Sequence, residues 1–174
     1  PQKKTRMSQQ RATKERREEQ GSSVVVLHVY DLTQGWAKQL SQAILGKRVD
    51  GLWHTGVVVY GREYFWGGEL TVLRAGTTVY GHPHRVIELG HTFLPIDVID
   101  QFVEDLRPRF NPSTYSLLGH NCNIFSNEMA MFLTGKGIPS DIVGLPEEIM
   151  ATPMGAALRP IIQQLEQQQR AMYP

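Results

Sequence analysis

The 174-residue chain has apolar and charged fractions of 41% and 20%, those of an ordinary globular protein with room for one real hydrophobic core. Its net charge of +1 conceals a split: residues 1–20 hold seven Lys/Arg against three Glu, and the remainder eleven Lys/Arg against fourteen Asp/Glu. A slightly acidic body without a basic stripe argues against nucleic acid as the main ligand, no apolar run reaches the about 20 residues of a membrane span, and a single cysteine excludes an internal disulfide.

The first 20 residues offer only Met7 and Ala12 as apolar side chains, so residues 1–22 are expected as a basic disordered tail, solvated or in contact with an acidic surface. "SSVVVLHVYDL" is a β-branched run and predicts a buried strand ending near Asp31. "TQGWAKQLSQAILGKRVDG" follows with Trp36, Leu40, Ala43 and Ile44 at helical spacing and Gly46 as its stop. "LWHTGVVVYG" reads as a strand from Trp53 to Tyr60, and "REYFWGG" and "LTVLRAG" as two more around a Gly67–Gly68 turn. "HRVIELGHTFL" is a further strand after the breaker "GHPH". In "PIDVIDQFVEDLRPRF", Pro95 suits a first helical turn, and Ile96, Ile99, Phe102, Val103 and Leu106 form one apolar stripe. The next helix lies in "NPSTYSLLGHNCNIFSNEMAMFLTGKGIP", ended by Gly135 and Gly137, with Pro139 preventing renewal. "LPEEIMATPMGAALRPIIQQLEQQQ" supplies one or two closing helices, interrupted near Pro153 and Pro160. Strands followed by helices indicate an α+β domain with an antiparallel sheet packed against helices. Its expected span is 23–165, followed by a polar tail over 166–174.

Cys122 stands between two asparagines. A helix N-capped near Asn121 would place the thiol in its first turn, where unpaired N–H groups and the helix dipole favour a thiolate and an oxyanion formed beside it. Cys122 also shares a face with Phe125, Met129 and Phe132/Leu133 at i+3/i+4 spacing, which by itself suits an inert packed residue. A histidine partner would decide between the two. His120 is two residues away and points elsewhere, His82 and His84 sit in a turn, and His28 and His91 have structural readings. The His-x-His pair lacks a third ligand at metal spacing. His54 opens an apolar strand beside Thr55 and Gly56, which leave room for an approaching group, the arrangement a cysteine nucleophile needs.

"VYDLTQG", "LGKRVDGLWHTGVVVYGREYFWGG", "GHNCNIFSNEMAMFLTGKGIPSDIVGLP" and "TPMGAALRPII" together resemble the PPPDE peptidases, the desumoylating isopeptidase family, over about Val24 to Ile162. The resemblance implies a circularly permuted papain-like fold, with Cys122 as nucleophile and His54 as its histidine partner. It implies hydrolysis of the isopeptide bond between a modifier's C-terminal glycine and a substrate lysine. An oxyanion hole would use the Cys122 N–H and a second donor, for which Asn121, Asn123 and Trp53 are the candidates. Trp53 or Trp66 could wall the channel for the modifier tail, Trp66 also reading as ordinary core. The mechanism requires no cofactor and no metal.

The implied partners are SUMO- or ubiquitin-conjugated proteins and a second copy of the chain in a homodimer. With one cysteine and no apolar leader core at the N-terminus, the expected compartment is reducing: cytoplasm, nucleus or both. Two rival readings stay open. A protein S-acyl thioesterase would use the same pair with an apolar tunnel in place of a thin polar one, and the lecithin-retinol acyltransferase branch resembles the motifs less closely, without the polar ending "IIQQLEQQQRAMYP". A non-enzymatic binding module would be marked by loss of His54 or Cys122, and both are present.

Overall fold

The computed structural model describes residues 21–172; of the basic tail expected over 1–22, residues 1–20 lie outside the described residues, as do 173–174. Five strands form one antiparallel sheet in the order β4-β3-β2-β1-β5, with β1 Ser23–Asp31, β2 Trp53–Val59, β3 Arg62–Trp66, β4 Leu70–Arg74 and β5 Arg85–Thr92. Alternation along β1 sends Val25, Leu27 and Val29, all at 0% exposure, to one face, and His28 and Tyr30 to the other. The register of β1 against β5 shifts between Val25 and Val26, and the residue facing Val25, Gly90, takes φ +132°, a conformation open to glycine.

The helices are α1 Trp36–Leu45, α2 Ile96–Leu106, α3 Cys122–Thr134, α4 Ser140–Val143, α5 Leu145–Met150 and α6 Pro153–Met172, with a short 3-10 turn at Pro112–Thr114. This is the α+β architecture expected, and it is consistent with a papain-like fold. Phe125, Met129, Ala130 and Leu133 of α3 are buried with Ile99, Val103 and Leu106 of α2 in the same core, and Phe102 stacks on Phe132 with ring centres 3.8 Å apart.

Two local expectations fail, those at Pro139 and Pro160, and the face of α1 is set by something other than its apolar spacing. The apolar stripe of α1 faces outward: Trp36, Leu40 and Ile44 are exposed, and Ser41 turns inward. Its hydroxyl accepts from Val49 N at 2.8 Å and donates to Val49 O at 3.2 Å, so a polar clamp sets the helix's rotation. Pro139 does not prevent renewal, since α4 begins at the next residue, where a proline needs no helical partner. No break occurs at Pro160, which lies inside α6. Residues 166–172, expected in a polar tail, continue that helix.

The incomplete pairing of β2 makes room for the start of α3. β2 and β3 pair only through Val57–Val59 and Arg62–Tyr64. Toward its start, β2 leaves the edge facing β3 unpaired, and the first turns of α3 fill it. Asn123 Nδ2 donates to Trp53 O at 3.1 Å and Ser126 Oγ to Thr55 O at 3.2 Å, satisfying carbonyls that the sheet leaves free. The Thr55 hydroxyl lies 2.9 Å from Asn123 Oδ1 and 2.8 Å from Ser126 Oγ.

Candidate active site

The segment before α3 is closed by a reciprocal pair between Ser116 and His120, with N–O distances of 2.8 and 2.9 Å. Asn121 then caps the helix. Its Oδ1 accepts from Asn123 N at 3.0 Å and Ile124 N at 3.2 Å, and its Nδ2 donates to Leu117 O at 3.0 Å. Cys122 is thus the first residue of the helix, as the sequence predicts, and its N–H has no acceptor within the helix. The thiol is buried, at 5% exposure, with Sγ 3.7 Å from Asn123 Oδ1 and 4.0 Å from Trp53 O.

Burial pushes the Cys122 thiol up, against the opposing pull of the Thr55 N–H, the Tyr115 hydroxyl and the N–H groups of Asn123 and Cys122 itself. The helix N-terminus therefore does not win outright: the resting group is a thiol surrounded by donors suited to a thiolate.

His54 lies on β2 at 3% exposure, and its Nε2 is buried without a hydrogen-bond partner among the described residues. Its ring is boxed by Tyr80 at 3.9 Å between ring centres, Phe65 at 5.8 Å and Tyr30 at 6.2 Å. Burial pushes the imidazole down to about 4, with the charge of Glu63 acting in the opposite direction. It is neutral at physiological pH, a weak base whose unpartnered nitrogen can accept a proton only with help from its surroundings.

Cys122 Sγ sits against the backbone of Trp53 and Thr55, the residues on either side of His54. Tyr80 links the two, stacking on the imidazole while its phenol, raised chiefly by burial, is raised further by Cys122. The side-chain donors of Asn121 and Asn123 are both engaged in holding the helix start in place. Trp53 has His84 stacked on it at 5.5 Å and the Arg85 guanidinium 5.4 Å from its ring centre. Trp66, by contrast, is at 0% exposure, packed among Phe110, Tyr115 and His120.

One cavity reaches Cys122, and a cleft passes the aromatic residues beside His54. A cavity of about 220 Å³ holds Cys122 in its wall together with Trp53, Tyr115, Leu117, Ile149 and Leu158. A cleft of about 500 Å³ runs past Tyr80, Phe65, Gly67, Gly68 and Glu69. Tyr80, Tyr115 and Glu63 are neighbours that sequence reasoning did not reach. The tyrosines stand in irregular segments, where no periodicity marks them. Glu63 had a signal: alternation in "REYFW" places a lone carboxylate on the face of Phe65.

Residues 23–163 match a family model described as "PPPDE putative peptidase domain". The chain is 43% identical over 149 residues to Desumoylating isopeptidase 1 of Xenopus laevis, covering 84% of this chain and 88% of that protein. It is 42% identical over 144 residues to the proteins of the same name from Homo sapiens and Rattus norvegicus, covering 82% of this chain and 86% of each. A family match over most of the chain, joined to relatives of this identity and coverage, means that the chain belongs to the PPPDE peptidase family and is a cysteine-type hydrolase.

Proposed function

We propose that the chain is a thiol isopeptidase that removes a ubiquitin-like modifier from substrate lysines, with Cys122 as nucleophile and His54 as general base and acid. One observation carries the assignment: the chain's only cysteine heads α3 with its sulfur against the strand backbone on both sides of a buried, neutral histidine. A cysteine-type hydrolase with a single cysteine has no other nucleophile to use.

In this reading His54 takes the thiol proton as sulfur attacks the isopeptide carbonyl. The tetrahedral oxyanion meets the Cys122 N–H, which at the helix start has no carbonyl acceptor, while Asn121, Asn123 and Trp53 shape the surrounding wall. Collapse breaks the C–N bond, and His54 returns the proton to the departing lysine amine. Water, deprotonated by His54, then hydrolyses the thioester and releases the modifier's carboxylate. The relatives' name, Desumoylating isopeptidase 1, favours SUMO over ubiquitin as the modifier. The outward apolar face of α1, with Trp36, Leu40 and Ile44 exposed, supports a homodimer, which light scattering at micromolar concentration would measure.

The apolar wall of the cavity at Cys122, with Leu117, Leu145, Ile149, Leu158 and Ile162, favours a second reading, a protein S-acyl thioesterase using the same pair. Intact mass after exposure to SUMO and ubiquitin bearing C-terminal electrophiles, beside palmitoyl-thioester turnover, separates the two. An adduct on Cys122 with SUMO, lost in Cys122→Ala and weakened in His54→Ala, is the expected result. Turnover of the thioester alone, dependent on His54, would replace the isopeptidase with the thioesterase.

A further inference from the structure

Glu63 is at 0% exposure, and an ionised carboxylate is that deeply buried only where donors replace its water. Register fixes where it points. Glu63 pairs with Val58, so it shares a sheet face with His54, whose own cross-strand partner is Tyr30. The side chain crosses β2 above Gly56 and reaches β1. Oε1 accepts from the Tyr30 hydroxyl at 2.7 Å, while Oε2 lies 3.1 Å from His28 Nδ1 and accepts from Gly76 N at 2.9 Å. Only glycine fits beneath it: a Cβ at position 56 would stand 2.6 Å from Oε1 and 2.9 Å from Cγ.

Burial pushes the Glu63 carboxyl up, and the bonds from His28, Gly76 and Tyr30 more than offset this, leaving it below the ordinary carboxylate range. The other groups around the His54 ring are Tyr30 from β1, Phe65 from β3 and Tyr80 from the loop between β4 and β5. Cys122 of α3 lies at the open strand edge beyond them, with Tyr115 beside it. Glu63 is the anionic group acting on the imidazole. Its own bonds run to β1 and to the turn after β4, whereas the close contacts of the thiol are with the β2 backbone and the start of α3.

We propose that Glu63 is a positioning residue of the site, whose buried negative charge stabilises the imidazolium that His54 becomes on taking the Cys122 proton. This rests on the reading of Cys122 and His54 as nucleophile and base. Thiol with imidazole and thiolate with imidazolium hold the same number of protons, so their ratio does not change with pH between the two ionisations. It changes with whatever field acts on one member of the pair. A negative charge near the imidazole and remote from the sulfur shifts the ratio toward the ion pair.

The experiment is the pH profile of Cys122 alkylation by iodoacetamide, read by intact mass, in the wild type, Glu63→Gln and His54→Ala. The rate near neutral pH reports the ion pair; the rate above about pH 10 reports access to a thiolate formed without help. Glu63→Gln is expected to lower the neutral rate about tenfold, the equivalent of one unit of ionisation, and to leave the alkaline rate unchanged. A merely loosened site would alter the alkaline rate as well. Gly56→Ala presses a methyl against the same carboxylate without removing a titratable group, and is expected to show the same pattern should Glu63→Gln fail to fold. A wild-type profile in both variants, with the neutral rate lost in His54→Ala, overturns the role of Glu63 and leaves the isopeptidase reading standing. An unaltered profile in His54→Ala overturns both.

Discussion

Burial of His54 makes a quantitative prediction for acid stability. In the unfolded chain its imidazole titrates near 6.5, and in the folded protein burial holds it down to about 4. Between those values the unfolded state binds a proton that the folded state refuses, so stability falls as pH falls. The contribution is complete above pH 6.5 and is lost by about pH 4, amounting to about 3 kcal/mol for a shift of this size. At 3% exposure the imidazole leaves little room for solvent screening. Glu63, also depressed from its ordinary value of 4.5, contributes a loss of the same sign that begins only at the foot of this window and is common to the wild type and a His54 variant. Urea unfolding at a series of pH values, in the wild type and in His54→Gln, measures this contribution. The wild-type curve should drop by about 3 kcal/mol more than the variant's across the window, whatever constant offset the substitution introduces. Parallel curves would refute the reasoning, because they would mean that the imidazole is hydrated in the folded state.

Asn123 ties the start of α3 to β2. Asn123→Ala strips Trp53 O of its close donor while the Thr55 hydroxyl keeps Ser126, so a loss of about 2–3 kcal/mol is expected in urea unfolding with the m-value unchanged. Tyr115→Phe removes a hydroxyl that favours the thiolate. A fall of about tenfold in kcat with KM within about twofold is expected in steady-state cleavage of a modifier conjugate, and a rise in KM alone would contradict it.

How far the site was legible in the sequence depends on whether a residue's role is local. Asn121 as cap and Cys122 as first helical residue were readable because a cap needs only its own neighbours, and "HNCN" supplies them. His54 was readable as the start of a buried strand, since "WHTGVVV" fixes the strand without reference to anything distant. The rotation of α1 was not readable. Its apolar residues stand at helical spacing, but Ser41 bonds to Val49 across the following loop and is the buried residue of the helix. Tyr80 and Tyr115 were invisible for a similar reason: each stands in an irregular segment and meets the site only because the sheet and α3 are already in place. Glu63 lies between these cases. Its face was predictable from alternation, but its three donors come from β1 and from the turn after β4, and only the assembled sheet brings them together.

The resting site is uncharged by the same burial that makes it useful. Burial lifts Cys122 and depresses His54, and both effects oppose moving a proton from sulfur to nitrogen. Left there, the pair would be inert, and an apolar pocket alone would give no catalyst. The transfer needs an opposite partial charge fixed beforehand at each end, because groups already oriented do not have to reorganise as charge develops. At the sulfur end stand the Thr55, Asn123 and Cys122 N–H groups and the Tyr115 hydroxyl. At the imidazole end the described residues offer the Glu63 carboxylate, itself fixed by Tyr30, His28 and Gly76. Nothing in this arrangement requires the ion pair to be abundant before substrate arrives. A thiol kept neutral at rest is protected from oxidation, since the thiolate is the form that oxidants attack. In the proposed mechanism, a carbonyl entering beside the Cys122 N–H draws the thiol proton onto a weakly basic imidazole held in a negative field as the C–S bond forms.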